Sequence, residues 1–473
     1  MQSDTVRAAP TDVDQIPDPV LDGPAYREHL ATLAGRWTEA LAATGCDAAI
    51  IAAGEDRNYF LDDQPPPFRP NPHFAQWIPE GDCRQCALLI QPGERPQLFF
   101  FQPQDYWHQP PQLPQWAYEH MTVRAFSDPG ALQDALASAA ARTRHTAFIG
   151  ESAPGNLPVS SVNPPALLNH LHYLRACKTP FELDCLRCAA ARGVRGHLAA
   201  RQAFLSGASE FAIHMRYLEA AQQVPAELPY SSIVALNEHA AVLHYQHYDR
   251  RPPARRRSFL IDAGASCRGY AADITRTYVV SAADLEAHAS REAHGTFAAL
   301  IDDLDQAQQQ LIADIRPGQD YLALHEQAHR AIAAILANHS VVRCSAEQAF
   351  EQGLTETFLP HGLGHLIGLQ THDVGGTLSG ADGSSRPPPA RYPALRLTRR
   401  IEPGQVFTIE PGIYFIGQLL DAALAGSSGS LLNAPLIAAL REYGGIRIED
   451  NVHVTAGGAD NLTRRAFAAQ ADG

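Results

Sequence analysis

The chain has 473 residues, 45% of them apolar and 19% charged, a balance that excludes a long disordered chain and supplies apolar surface for two or three packed domains. A formal net charge of −14 repels a phosphate backbone or an anionic lipid surface over most of the protein, so neither nucleic acid nor a membrane is an expected partner. Of the 37 basic residues only Lys178 is a lysine, from which no mechanism follows.

Residues 1 to about 20 carry Asp4, Asp12, Asp14 and Asp18 and show neither helical nor strand period, so they read as a mobile tail. They contain no apolar core of the kind a secretory signal needs. No uninterrupted apolar run of about 18 residues occurs to form a spanning helix, and a cytoplasmic location with eight reduced cysteines is expected. Cys83/Cys86 and Cys185/Cys188 each read C-x-x-C, but the pairs are far apart and no His-rich motif flanks either. Free thiols are expected there rather than a four-thiolate zinc site.

From residue 21 to 175 helix and strand patterns mix. A helix is predicted over Tyr26 to Ala43, and buried strands over Asp47 to Ala53, Cys86 to Gln91 and Gln97 to Gln102. Between them, residues 62–79 (DDQPPPFRPNPHFAQWIP) are too rich in proline for regular structure and too aromatic for a plain linker, which marks a loop with a function. A second domain, 176–473, is predicted to open on a helix: Thr179 caps it, Pro180 takes its first position and Glu182 completes a capping box. Helices run to about Leu205 and over Glu210 to Val224, Arg291 to Arg316 and Tyr321 to Asn338, with Gly318 placed to cap the third. The basic run Arg250 to Arg257 reads as a solvated turn before the strand Ser258 to Ile261. The fold class is therefore α/β (α+β), a mixed N-terminal domain followed by a larger C-terminal one.

The polar motifs lie in the second domain. Asp262 ends an apolar strand, and Asp273 follows eleven residues later; a hairpin turn from Gly264 to Gly269 would bring the two carboxylates together, where they repel unless a cation lies between them. His361-Gly-Leu-Gly-His365 and His372 place three imidazoles in twelve residues, yet no Glu follows His361 and the two glycines weaken a helix, so a helical zinc-protease motif fits poorly. Glu410 and Glu449 stand in apolar, strand-like settings, and period two puts Arg447 on the same face as Glu449, which leaves an Arg–Glu structural pair as the competing reading. Together Asp262, Asp273, His365, Glu410 and Glu449 offer four carboxylates and an imidazole, a charge that two divalent cations balance. Oxygen-dominated ligation favours Mn²⁺, with Co²⁺ or Zn²⁺ also compatible, and a water shared by both ions would be acidified to a hydroxide nucleophile.

The strings FLIDAGA, GYAADITRTY, HGLGH, LQTHDVGG, FTIEPGIYF and GGIRIED resemble those of the proline-specific metallopeptidases with the creatinase or pita-bread fold. The segment Tyr230 to Tyr245, the string FLDDQPPPFRPNP and Asp105 to His108 are similar to the bacterial Xaa-Pro dipeptidase subfamily, and the likeness runs from about residue 30 to 465. It implies a creatinase-like N-terminal domain, a pita-bread catalytic domain and a dinuclear site that cleaves Xaa-Pro dipeptides with a metal-bridging hydroxide. It further implies that Asp273 and Glu449 bridge the ions, that Asp262, His365 and Glu410 complete the shell, and that Glu410 shuttles the proton. His361 and His372 would stabilise the gem-diolate, Tyr230 and His244 would recognise substrate, and Arg396, or Arg447 as second candidate, would bind the prolyl carboxylate.

The same resemblance implies a homodimer in which the loop around Asp63, with Trp107, closes the partner's site, so that Asp63 meets the substrate amine. Organophosphorus triesters are expected as a side activity at most. An aminopeptidase acting on longer Xaa-Pro peptides shares the metal site and differs in whether loop 62–79 blocks its far side. A non-catalytic peptide-binding module, or metal-free creatinase-type hydrolysis, would be expected to lack ligands that are all present here.

Overall fold

In the computed structural model, which describes residues 16–80, 82–112, 115–153, 155, 157–285 and 290–471, the first helix is Pro24–Thr44. It starts on a proline and closes on Gly45, whose φ of +67° no branched residue adopts without strain. Its stripe of Tyr26, Leu30, Leu33, Trp37 and Leu41 is buried in one core with a six-stranded sheet. The strands are β1 (Ala48–Ala52), β2 (Ala87–Ile90), β3 (Gln97–Phe101), β4 (Thr122–Phe126), β5 (Thr146–Ile149) and β6 (Ser161–Val162), in the order β4-β3-β2-β1-β5-β6. The central strands β1, β2 and β3 are nearly continuous apolar runs because both faces are covered. Loop 62–79 stays irregular except for the short helix Pro72–Ala75, which Asn71 caps.

Helix Pro180–Leu205 begins with the capping box that its sequence predicts: Glu182 N–H donates to Thr179 Oγ1 at 3.3 Å and Thr179 N–H donates to Glu182 Oε2 at 2.8 Å. The box is buried at the junction of the two halves, where His29 bonds Thr179 and Tyr270 donates to Glu182. The expected N-terminal tail falls outside the described residues up to 15. From Ile16 the chain is held, with Arg192 donating to the Ile16 carbonyl at 3.1 Å and to Asp18 at 2.7 Å.

The second half carries curved antiparallel sheets between helices. Strands β7 (Ile233–Leu236), β8 (Ser258–Asp262) and β11 (Thr275–Val279) form one sheet in the order β11-β8-β7, with Asp262 opposite Thr275. The excursion between β8 and β11 is longer than a simple turn, because β9 (Ser266–Cys267) and β10 (Tyr270–Ala271) make a small hairpin of their own. Its two-residue turn has positive φ at both Arg268 and Gly269, the geometry that matches the twist of a tight hairpin. A further sheet orders β12 (Val406–Ile409), β15 (Asp450–Thr455) and β16 (Gly458–Asn461) as β12-β15-β16, and β13 (Gly412–Tyr414) pairs with β14 (Gly445–Arg447). A bridge from Thr275 to Glu449 ties the sheets across the site.

Two helix ends differ from expectation. The helix from Glu210 stops at Ala221, since Gln222 turns left-handed ahead of Pro225, and the helix from Arg291 stops at Ala313. Gly318 lies in the turn beyond, its N–H donating to Ile401 O at 2.7 Å, so it caps nothing. Among the described residues no helix is long and apolar enough to cross a membrane.

Candidate metal centre

The floor of the site is built from strand ends. Asp262, the last residue of β8, accepts from Tyr230 OH at 2.8 Å and from Arg447 Nη2 at 2.6 Å. Asp273 sits just before β11, its backbone gripped on both sides by Asn451: Asp273 N–H donates to Asn451 Oδ1 at 3.0 Å and Asn451 Nδ2 donates to Asp273 O at 2.6 Å. Glu449, between β14 and β15, accepts from Thr275 Oγ1 at 2.7 Å, and Glu410 follows β12. Arg447 and Glu449 do turn toward the same place, but Arg447 pairs with Asp262, not with Glu449.

His365 comes from an irregular segment. A Cβ on Gly364 would run into the Thr408 carbonyl and the Tyr321 hydroxyl, so only glycine lets this segment lie flat on β12. His365 N–H donates to Thr408 Oγ1 at 3.1 Å, and its Nδ1 lies 3.0 Å from the Leu366 carbonyl, which can only accept. Nε2 of the neutral ring is therefore a lone pair, 3.4 Å from Asp273 Oδ2 and 3.6 Å from Glu410 Oε1, and without a cation burial is outweighed by these carboxylates, which raise the ring's affinity for a proton above its ordinary value. One donor atom each from Asp273, His365 and Glu449 lies within 4.8 Å of the others.

Charge makes the same point. Burial pushes Asp262 above its ordinary value, Glu449 well above it and Glu410 up to about 7, with neighbouring carboxylates adding to each. Asp273 is held low because the hydrogen bond and charge of His365 outweigh burial. Four acids, two of them buried and two partly buried, countered by one guanidinium and one imidazole, form an oxygen-rich set that suits hard or borderline divalent cations.

Around this floor, His361 Nδ1 donates to Gly362 O at 2.8 Å, and its Nε2 lies 2.8 Å from Tyr414 OH, which accepts from Arg447 Nη1 at 2.8 Å. Burial and Arg447 lower His361 to about 3, so it is neutral. His372 packs edge-on to His365 at 4.4 Å, and burial, His365 and Arg396 together lower it to about 4. Asp262, Asp273, His372, Tyr230 and His244 open onto a cavity of about 1440 Å³ between the halves, walled opposite by Phe68, Arg69 and Pro70. Arg69 fixes that wall by donating to the carbonyls of Leu228 and Pro229 at 2.5 and 2.7 Å. Residues of loop 62–79 from Phe68 to Pro79 thus line the cavity of their own chain.

Arg396 is exposed beside His372, and among the described residues its guanidinium has no hydrogen-bond or ion-pair partner. Arg447 is buried, with all three nitrogens engaged by Thr275, Tyr414 and Asp262. Asp63 and Trp107 are not brought to the site within one chain: Asp63 is exposed and bonded to Gln64, and Trp107 is 75% exposed against Tyr106.

Sequence reasoning missed several supports. Asp373 is buried between Arg175 and Lys178, the single lysine, whose Nζ reaches it at 2.9 Å and fixes the His372 loop to the domain junction. Glu210 is buried and accepts from His239, Tyr245 and the Leu236 and Asp249 N–H groups, which fixes the segment bearing His244. A carboxylate next to a motif histidine, or a unique lysine before a helix cap, was the available signal.

Residues 184–456 match metallopeptidase family M24, and residues 24–173 match the N-terminal domain of Xaa-Pro dipeptidase. The Xaa-Pro dipeptidase of Stenotrophomonas maltophilia is 46% identical over 450 residues, covering 94% of this chain and 98% of that one. That of Aeromonas hydrophila is 43% identical over 451 residues, covering 93% and 98%. Among solved structures, Pseudomonas aeruginosa aminopeptidase PepP superposes with a TM-score of 0.69 at 21% identity, covering 94% of this chain and 99% of that one. A zinc-substituted Escherichia coli aminopeptidase P in complex with product gives 0.68 at 21%, covering 94% and 98%. The chain belongs to metallopeptidase family M24. It is a hydrolase in which an N-terminal mixed α/β domain precedes the pita-bread domain of that family.

Proposed function

We propose that this chain hydrolyses Xaa-Pro dipeptides at a site for two divalent cations, Mn²⁺ foremost, held by Asp262, Asp273, His365, Glu410 and Glu449, with Asp273 and Glu449 shared. The observation that carries this reading is the gathering of His365 Nε2 with the carboxylates of Asp273, Glu410 and Glu449, with Asp262 coupled to them by charge, an excess of negative charge that divalent cations neutralise. The relatives named Xaa-Pro dipeptidase, 46% identical over 94% of the chain, support the substrate class. Bound there, the ions supply Lewis acidity and a water acidified toward neutral pH.

The chain's own residues do the rest. Glu410, a carboxyl that changes protonation near neutrality when cation-free, carries a proton from the attacking water to the prolyl nitrogen. His372 faces the cavity and steadies the negative charge developing on the substrate oxygen. His361, oriented through Tyr414, acts beside it. Tyr230 and His244 position the dipeptide, and Arg396, whose donors have no partner among the described residues, takes the prolyl carboxylate in preference to Arg447. A prolyl amide lacks an N–H, so selection rests on ring shape and this carboxylate.

Residues 21–175 and 176–473 form the two domains of this reading. We propose a cytoplasmic homodimer. Phe60 and Leu61, close in sequence to Asp63, and the stacked pair Tyr106 and Trp107 are exposed apolar side chains that a second chain would cover. Release of the first residue from longer Xaa-Pro peptides is the second reading, favoured by a cavity of about 1440 Å³, much larger than a dipeptide. Asp273→Asn tests the site: the variant should fold yet lose both bound metal and turnover, and retained activity would refute the ligand set.

A further inference from the structure

A second cluster of metal-ligating side chains lies outside this centre. Helix Pro180–Leu205 carries Cys185 and Cys188 three residues apart, hence on one face, and that face packs on β9, which carries Cys267. Donor atoms of Cys188, Cys267 and Asp18 all lie within 4.8 Å of one another, and Cys267 Sγ lies 3.4 Å from Asp18 Oδ1. Cys185, fully buried, also contacts Cys267 but lies outside that group of three. All three thiols are free and interior.

We propose that Cys188, Cys267 and Asp18 form a site for one borderline-soft divalent cation of the zinc class, distinct from the carboxylate centre. Two thiolates and a carboxylate match the softness of the donors such an ion takes and fill three positions of its tetrahedral shell, leaving the fourth for a water. Their three negative charges exceed the ion's two, and guanidiniums are in place to balance the remainder: Arg192 donates to Asp18 Oδ1 at 2.7 Å, and Arg268 Nε lies 3.4 Å from Asp18 Oδ2. Asp18, Arg192, Arg268 and Ser266 line the same inter-domain cavity, which supplies an entry path. The ion would tie the N-terminal segment, the helix and the β9–β10 hairpin together, and that hairpin joins Asp262 to Asp273. The other C-x-x-C pair, Cys83 and Cys86, contacts itself and Glu80 instead.

The test is titration of chelator-treated protein with Co²⁺. The oxygen- and nitrogen-ligated centre gives no sulfur-to-cobalt charge-transfer band, so a near-ultraviolet thiolate band that saturates at one ion per chain and is bleached by Zn²⁺ reports this site alone. It should persist in Asp273→Asn and in Cys83→Ser, and disappear in Cys188→Ser and Cys267→Ser. Absence of the band in the unmodified protein, or its persistence in the folded Cys267→Ser variant, would overturn the proposal. The first of these outcomes needs only the unmodified protein, so the proposal stays refutable even where a variant fails to fold.

Discussion

Replacing Glu410 by Gln separates the cost of the buried carboxylates from their use as ligands. Burial is the main force raising this carboxyl from its ordinary 4.5 to about 7; His365 and Arg447 pull the other way, while Asp273 and Asp262 add to the rise. The unfolded chain gives up the proton near 4.5, the folded cation-free chain only near 7. In that window the folded state holds the extra proton, so cation-free protein loses stability as pH rises through it. At about 1.4 kcal/mol per pH unit the displacement amounts to about 3 kcal/mol above pH ~7 and almost nothing below pH ~4. Gln carries no charge to bury. In chelator, Glu410→Gln should therefore be more stable than the unmodified protein by about 3 kcal/mol near pH ~8 and nearly equal to it near pH ~4. With saturating Mn²⁺ the order should reverse, because Gln is the poorer ligand. Thermal unfolding followed by circular dichroism reads this, and comparing the two proteins at each pH cancels the buried histidines that Glu410 does not influence, His365 being the one it does. A variant no more stable than its parent in chelator, or equally affected with and without Mn²⁺, would refute the reasoning.

Arg396→Ala should raise the Michaelis constant for an Xaa-Pro dipeptide about 10- to 100-fold, the loss of a charge-assisted hydrogen bond, with metal content unchanged. An unchanged constant would shift the carboxylate contact to Arg447. Arg447→Met leaves Asp262 without its buried partner and should cost about 3–5 kcal/mol in chelator but less with Mn²⁺ bound; equal losses would detach Asp262 from the cation site. Glu210→Gln should loosen the segment bearing His244 and raise the Michaelis constant while metal retention holds, and an unaltered constant would remove His244 from substrate contact.

The centre was legible because its residues stand in short strings that strand periodicity can interpret. Asp262 and Glu410 at strand ends, and Arg447 with Glu449 on one face, follow from period two and apolar context. The capping box at Thr179 is equally local. What escaped were pairings between residues far apart in the chain. Asn451 gripping Asp273 and Asp373 meeting Arg175 and Lys178 depend on how sheets and domains pack, which no window of sequence contains. The glycines on either side of Leu363 argue from sequence against a helix over His361 and His365, but the reason for Gly364, a backbone lying against Thr408, is tertiary. Composition alone sets loop 62–79 apart, whereas the fact that Arg69 clamps it over its own chain's cavity rests on a contact 159 residues away.

The most direct measurement is hydrolysis of Ala-Pro and Leu-Pro beside Ala-Pro-Ala and a longer Xaa-Pro peptide, using metal-stripped protein restored with Mn²⁺, Co²⁺ or Zn²⁺. Cleavage confined to the dipeptides and dependent on added metal is the predicted result. Comparable cleavage of the longer peptides would contradict the dipeptidase reading, and no metal-dependent cleavage of any of them would contradict the function assigned to the centre.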